Sequence, residues 1–370
     1  MILFFYILVL ISLLLYSYVL IDPNLTLINH PWWVLFRDQL VYVGYYQRPQ
    51  SWYIYLIILI LLFIVHDVIT KKYKQSNALQ ALQIGFITSA ILILSYPFTS
   101  HDLFNYIFDA KIFTYYGDNP YVMAPWNYPQ DEWLRFMHWI HRSYPYGPVY
   151  LVLSFIPSFL SLGKFILNFF FFKLFSIGFY LLGIYYLQKL DKKSALIFAT
   201  HPLVLIEGLV AGHNDLIGVS LGIVGLYYLE KDKQVLSRLF FLLSAGIKFI
   251  TAPMVLLIKD KPHINYVLFL GQLSLLLYLA IFKDIHGWYF LTLFAYIPLY
   301  KQFIPNLQIF FFGLLVAYYP FIRLGEWDAD RVVLKKTIMI TALVINLIYI
   351  VYKYRKDLPQ VIKLQLLRTR

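Results

Sequence analysis

The residues best equipped for chemistry begin at His101-Asp102-Leu103-Phe104-Asn105-Tyr106 and continue to Asp109, Lys111 and Tyr116-Gly117-Asp118-Asn119-Pro120-Tyr121. The first half of this stretch reads as a short helix. On it Asp102, Tyr106 and Asp109 fall at i, i+4 and i+7 and share one face, while Leu103, Ile107 and Phe108 can rest against a membrane surface. A carboxylate at such a boundary is partly desolvated, which raises its basicity and suits it to removing a proton from a hydroxyl group. An amphipathic loop helix with solvated acids is the plainer alternative.

Three other places carry polar chemistry. Ala211-Gly212-His213-Asn214-Asp215 separates two apolar runs; its aspartate can bind a substrate hydroxyl, hold a cation or cap the next helix. Lys248 has apolar neighbours on both sides, and an ionisable group at membrane depth is a functional candidate, with snorkelling toward headgroups as the rival. Lys283-Asp284-Ile285-His286-Gly287-Trp288-Tyr289 combines phosphate donors with an aromatic pair suited either to a ligand or to the lipid interface. No Walker loop, GxGxxG fingerprint or HExxH motif is present, and the histidines lack metal-ligand spacing.

The elements that position these residues are dictated by composition. The chain is 61% hydrophobic and only 14% charged, with mean hydropathy +0.67, a balance that excludes a water-soluble domain of this size. Nearly uncharged runs long enough to approach a membrane span occur at 1–21, 51–70, 78–97, 195–211, 215–229, 264–282, 288–304, 306–322 and 337–352. Two more, 147–187 and 237–258, are interrupted by lysine. The fold expected is all-α, a polytopic transmembrane helix bundle of about 10–13 membrane segments, some broken or re-entrant. No linker or internal repeat divides it, so residues 1–370 read as one integral membrane domain, with 98–146 as a large external loop carrying short amphipathic helices. The absence of cysteine rules out disulfides and thiolate chemistry. The net charge of +12 sits in short clusters between spans rather than in a nucleic-acid-binding module.

The positive-inside rule places Lys71-Lys72-Tyr73-Lys74, Lys189–Lys193, Lys231–Lys233, Lys259–Lys261 and Lys353–Lys356 in the cytoplasm, and 22–50, 98–146 and 212–215 outside. To keep those sides consistent, 147–187 must cross an odd number of times and 237–258 an even number. Broken or re-entrant helices are therefore expected there, with Lys248 at the tip of the second excursion. Arg331, Lys335 and Lys336 resist this scheme, since they fall on the outer side of the last span.

In order, HDLFNYIFDAKIFTYYGDNPY, YPYGPVY, GHNDLIG, SAGIKF and HGWYF span roughly residues 95–300, and the series resembles the GT-C superfamily of membrane glycosyltransferases. It is most similar to the branch that takes mannose from a polyprenyl phosphate, including prokaryotic α-mannosyltransferases and the first mannosyltransferase of GPI-anchor assembly. The resemblance implies an inverting transfer of a hexose, mannose by likeness, to a lipid-linked or surface glycan acceptor at the outer membrane face. It carries the catalytic base over to Asp102, with Asp109 as the second acid. Position 101 is His, so the DXD-like pair of some members is missing, and the expectation is catalysis with no metal or other cofactor. The leaving phosphate needs cations, for which Lys248 and His286 are the candidates. Tyr106, His213, Asn214, Asp215, Trp288 and Tyr289 are the candidates for sugar or acceptor binding. The expected partners are a polyprenyl-phosphate-sugar donor, a glycolipid or glycan acceptor and membrane lipids, with no nucleic acid; a prokaryotic plasma membrane is the expected setting. A transporter or flippase for a polyprenyl-linked or anionic substrate is the rival reading; it would use the same lysine and acids for binding and would need no base.

Overall fold

The computed structural model describes residues 1–23, 25, 27–72, 81–325 and 329–355. Tyr73, Lys74 and Lys356 of the basic clusters lie outside them. Among the described residues the chain is helical and forms no strand. The first seven α-helices are α1 (Ile2–Ser17), α2 (Pro31–Val41), α3 (Arg48–Lys71), α4 (Ala81–Leu92), α5 (Asp102–Thr114), α6 (Pro148–Leu160) and α7 (Phe165–Leu190). The rest are α8 (Lys192–Thr200), α9 (Asp215–Glu230), α10 (Gln234–Ile247), α11 (Pro262–Phe282), α12 (Phe303–Asn306), α13 (Gln308–Val316) and α14 (Ala329–Tyr354). Prolines open α2, α3, α6 and α11 within the first turn, where a missing N–H leaves no bond unmade.

Five helices are long and apolar enough to cross a membrane unbroken: Ile2–Leu20, Arg48–Lys71, Phe165–Leu190, Pro262–Phe282 and Asp330–Tyr354. A sixth span is possible by length only as a bent pair, α8 with the π-helical turn Val204–Val210, which meet at 66°. The other apolar runs give shorter helices or 3₁₀ segments, so fewer spans are continuous than the count of apolar runs suggests. Pro202, at the break between α8 and the π-helical turn, interrupts the backbone ladder where the apolar run 195–211 continues.

Both irregular stretches expected from charge parity are present. In the first, α6 does not take the chain across; it runs beside α5 in the same direction, with Tyr106 against Tyr150, Phe113 against Phe155 and Thr114 bonded to Ser158 at 2.7 Å. Only α7 is then long enough to cross. In the second, α10 climbs to Lys248 and a 3₁₀ segment, Phe249–Leu256, returns, so that Lys259 pairs with Asp232 at 2.6 Å and Arg238 donates to the Leu257 carbonyl at 2.7 Å. Lys248 is the tip of a re-entrant hairpin.

The close packing of that hairpin rests on glycine. A Cβ at Gly225 of α9 would stand 2.5 Å from the Phe241 ring of α10. At the tip, Gly147 and Gly246 meet backbone to backbone: a Cβ at 147 would be 1.9 Å from the Gly246 carbonyl oxygen, and one at 246 would be 2.4 Å from Val149 Cγ2. Lys173, one of the lysines that interrupt 147–187, is buried in α7 and donates to Ser95 Oγ and the Val210 carbonyl, both at 2.9 Å. It satisfies backbone that the π-helical turn leaves open.

One expectation about α5 is corrected. Leu103, Ile107 and Phe108 do not lie on a membrane surface; they are buried in protein, as are Asp102 and Asp109. An amphipathic pattern defines two faces but not what covers the apolar one, and here α6 and α7 cover it.

Lys189, Lys231, Lys259 and Lys301 gather at the far end of the bundle, about 24 Å along α9 from Asp215. Lys335, which resisted the orientation scheme, pairs with Asp284 at the opposite end, where Val332 lines the main cavity. Its charge belongs to the site end of the molecule.

Candidate active site

A cavity of about 660 Å³ opens where the start of α5, the end of the 98–146 loop, the Lys248 tip and the 284–289 segment converge. Asp102, Arg142, Tyr146, Lys248, His286, Trp288 and Tyr289 line it. Asp102 is the first residue of α5 and its backbone N–H is held by Ser100 Oγ at 3.1 Å. Burial pushes its carboxyl above the usual carboxylate range; Lys248, Arg142 and Tyr146 pull it partly back, while Asp215 adds to the rise.

Lys248 Nζ sits 2.8 Å from Asp215 Oδ2, 4.7 Å above the Tyr289 ring and 5.7 Å from the Tyr146 ring. Lys248 and Asp215 were expected on separate phosphate and sugar sides, yet they form one ion pair. The remaining charge available to an incoming anion therefore comes from this pair's field together with Arg142 and the 284–289 segment.

Trp288 is the middle of a three-ring stack, with His286 at 4.3 Å and 3° and His213 at 3.9 Å and 19°. His286 reaches the cavity; His213 lies behind it, fully buried, with Nδ1 3.6 Å from Asp102 Oδ2 and Nε2 3.4 Å from Glu207 Oε2. Tyr106, Asp109 and Asn214 are buried near the site but are not among the residues that line the cavity. Tyr106 packs between the Tyr146 and Tyr150 rings at 5.0 and 4.9 Å. Burial lifts the Asp109 carboxyl well above its ordinary value, against the opposing charge of Arg142. Both polar atoms of the Asn214 amide are without a hydrogen-bond partner.

Two residues of the site escaped the reading of the sequence. Glu207 lies within a run taken as almost uncharged, and an acid at that depth is itself a signal. Arg142 carries no local mark, since only the folded loop brings it to the cavity. The loop is fixed by Lys111, whose Nζ lies 2.5 Å from Asp131 Oδ2 and 3.6 Å from the centre of the Trp133 ring. Among the described residues no three His, Asp or Glu side chains are grouped to hold a metal ion.

A buried carboxylate facing a roomy cavity, with cations on two sides and an aromatic floor, can take a proton from a bound hydroxyl while a negative group leaves nearby. No curated protein and no solved structure matches the chain. The family model described as alpha-(1->6)-mannopyranosyltransferase, N-terminal domain, matches residues 16–259, a stretch that takes in α5, the 98–146 loop, Glu207, the 212–215 turn and the Lys248 tip. That match covers well over half of the sequence, and the protein belongs to this family of membrane mannosyltransferases.

Proposed function

We propose that the protein moves mannose from a polyprenyl-phosphate-linked donor to a glycolipid or glycan acceptor at the outer membrane face, with inversion and with Asp102 as general base. The observation that carries this reading is the position of Asp102, buried yet lining a cavity of about 660 Å³ in company with Lys248 and Arg142. The acceptor hydroxyl loses its proton to Asp102 as its oxygen attacks the anomeric carbon. The bond from that carbon to phosphate oxygen breaks, and its electron pair leaves on the phosphate.

Lys248, Arg142 and His286 are the groups that meet the developing phosphate charge, so no metal is required in this scheme. Trp288 and Tyr289 offer apolar faces against which a sugar ring can stack. In this reading the linkage follows the name of the family: an α-(1→6) product means that the acceptor offers a primary hydroxyl at C6. Formed with inversion, that product needs a donor whose anomeric bond is β.

The test is transfer of radiolabelled mannose from synthetic polyprenyl-phosphate-mannose to short α-mannoside glycolipids by the purified protein, with and without EDTA. Transfer that survives EDTA and disappears in Asp102→Asn is the expected result. Donor movement across liposomes with no sugar transfer would replace this reading with a flippase.

A further inference from the structure

Glu207 and His213 are buried polar groups that the reaction described above does not use. The backbone N–H of His213 donates to the Glu207 carbonyl at 3.1 Å, which locks the two residues in register. Gly212, at φ +73°, makes the turn between them, and a Cβ there would stand 3.3 Å from Leu103 of α5. That contact brings the imidazole to Asp102, and the stacked Trp288 fixes its plane.

The ring lies between two carboxyl groups, yet neither ring nitrogen makes a hydrogen bond. A buried polar atom left without a partner is costly, so its retention asks for a reason. Burial, with Lys248 and His286 adding to it, holds the imidazole well below its ordinary pKa, so the ring is neutral. A neutral ring whose Nε2–H points to Glu207 turns a bare lone pair on Nδ1 toward an ionised Asp102. Two acceptors then face each other across 3.6 Å, with no proton between them until one arrives.

We propose that His213 Nδ1 accepts a hydrogen bond from Asp102 once that carboxylate has taken the acceptor's proton, and that Glu207 holds His213 in the Nε2–H tautomer. The acceptor O–H bond breaks, an O–H bond forms on Asp102, and that hydrogen is shared with Nδ1; the electron pair of the sugar–phosphate bond leaves on phosphate. His213 and Glu207 touch neither sugar nor phosphate. They are positioning residues that strengthen the base by stabilising its protonated form. The inference rests on the reading of Asp102 as base.

Other charged and titratable groups also face this chain. Lys248, Asp215, Arg142 and Tyr146 act on Asp102, as does Tyr106 from its own helix. Tyr318 donates to Glu207 at 3.2 Å and Tyr55 lies near it, while His286 faces His213 across Trp288. All remain in the variants below, so a change in pH profile reports the relay.

The experiment measures kcat, donor KM and the pH–rate profile of mannose transfer by the full chain in nanodiscs, with synthetic polyprenyl-phosphate-mannose as donor. His213→Leu is expected to lower kcat by about 10- to 100-fold, leave donor KM unchanged and move the acidic limb to lower pH. His213→Asn, whose amide oxygen can take the place of Nδ1, recovers part of the rate. Glu207→Leu removes the acceptor that faces Nε2, so nothing holds the proton on that nitrogen, and should show a loss and a limb shift in the same direction. Wild-type profiles in His213→Leu and Glu207→Leu overturn the proposal, and so does a loss of kcat without a limb shift or rescue by Asn. If His213→Leu fails to fold, Glu207→Leu decides. Asp102→Asn with full activity overturns the base itself; Asp102→Asn silent beside an unshifted Glu207→Leu overturns only the relay.

Discussion

Lys248 and Asp215 meet at 2.8 Å, and this ion pair ties the tip of the re-entrant hairpin to the first residue of α9. Both side chains are almost wholly removed from solvent. Removing either partner strands a buried charge, which typically costs about 3–5 kcal/mol. Lys248→Met and Asp215→Leu should therefore each lower the unfolding temperature in detergent. The double variant Lys248→Met with Asp215→Leu should regain most of that stability without regaining transfer. Additive losses in the double variant would show that the pair is not coupled.

Asp102→Asn removes the proton acceptor while keeping shape. A general base typically contributes 10²- to 10⁴-fold, so transfer should fall by about that much while thermal stability and donor binding stay near wild type. Radiolabel transfer and differential scanning fluorimetry on the same preparation separate the two quantities.

Arg142→Met takes a cation away from Asp102. The base works only when ionised, and Arg142 favours the ionised form. Its removal raises the pKa of the base, so the acidic limb of the pH–rate profile should move to higher pH. This is opposite in sign to the shift expected for His213→Leu, and a shift in the same direction would refute the electrostatic role given to Arg142.

Asp131 anchors the 98–146 loop. Burial alone would raise its carboxyl, but hydrogen bonds from Lys111, the Trp133 N–H and Tyr116, with the Lys111 charge, outweigh it and hold the group below its ordinary value. A depressed carboxyl contributes stability that is fully present above the unfolded value of about 3.9 and is lost as pH falls through the folded one. Asp131→Asn should thus be less resistant to loop proteolysis at neutral pH. As the pH drops below about 3.9, that difference should vanish, because wild-type Asp131 becomes protonated too.

Legibility in the sequence followed how local the cause was. The short helix at Asp102 could be read from spacing, and the Lys248 tip from lysine clusters that had to stay on one side. Both rest on rules that act within one segment or one crossing. Glu207 was passed over because a single acid barely changes the average of an apolar run. Arg142 could not be assigned, since the rest of α5 and the irregular loop after it separate it from Asp102 and only folding closes that distance. The burial of α5 was missed for a related reason: its apolar face fits lipid and protein equally well, and the choice is made by α6 and α7. The break at Pro202 is not legible in the run 195–211, because hydropathy takes no account of a missing N–H.

The contact between Gly147 and Gly246 leaves no room even for a methyl group, so the end of the 98–146 loop and the hairpin are welded at that point. Tyr146 and Lys248, one on each side of the weld, must travel as a single body. Phe321 and Val332 line the same cavity from elements outside this contact, so any widening on ligand entry is expected there. Labels at the exposed Tyr121 and Phe249, beside Tyr146 and Lys248, should keep their separation as donor enters, and the distance from either to the exposed Val333 should change.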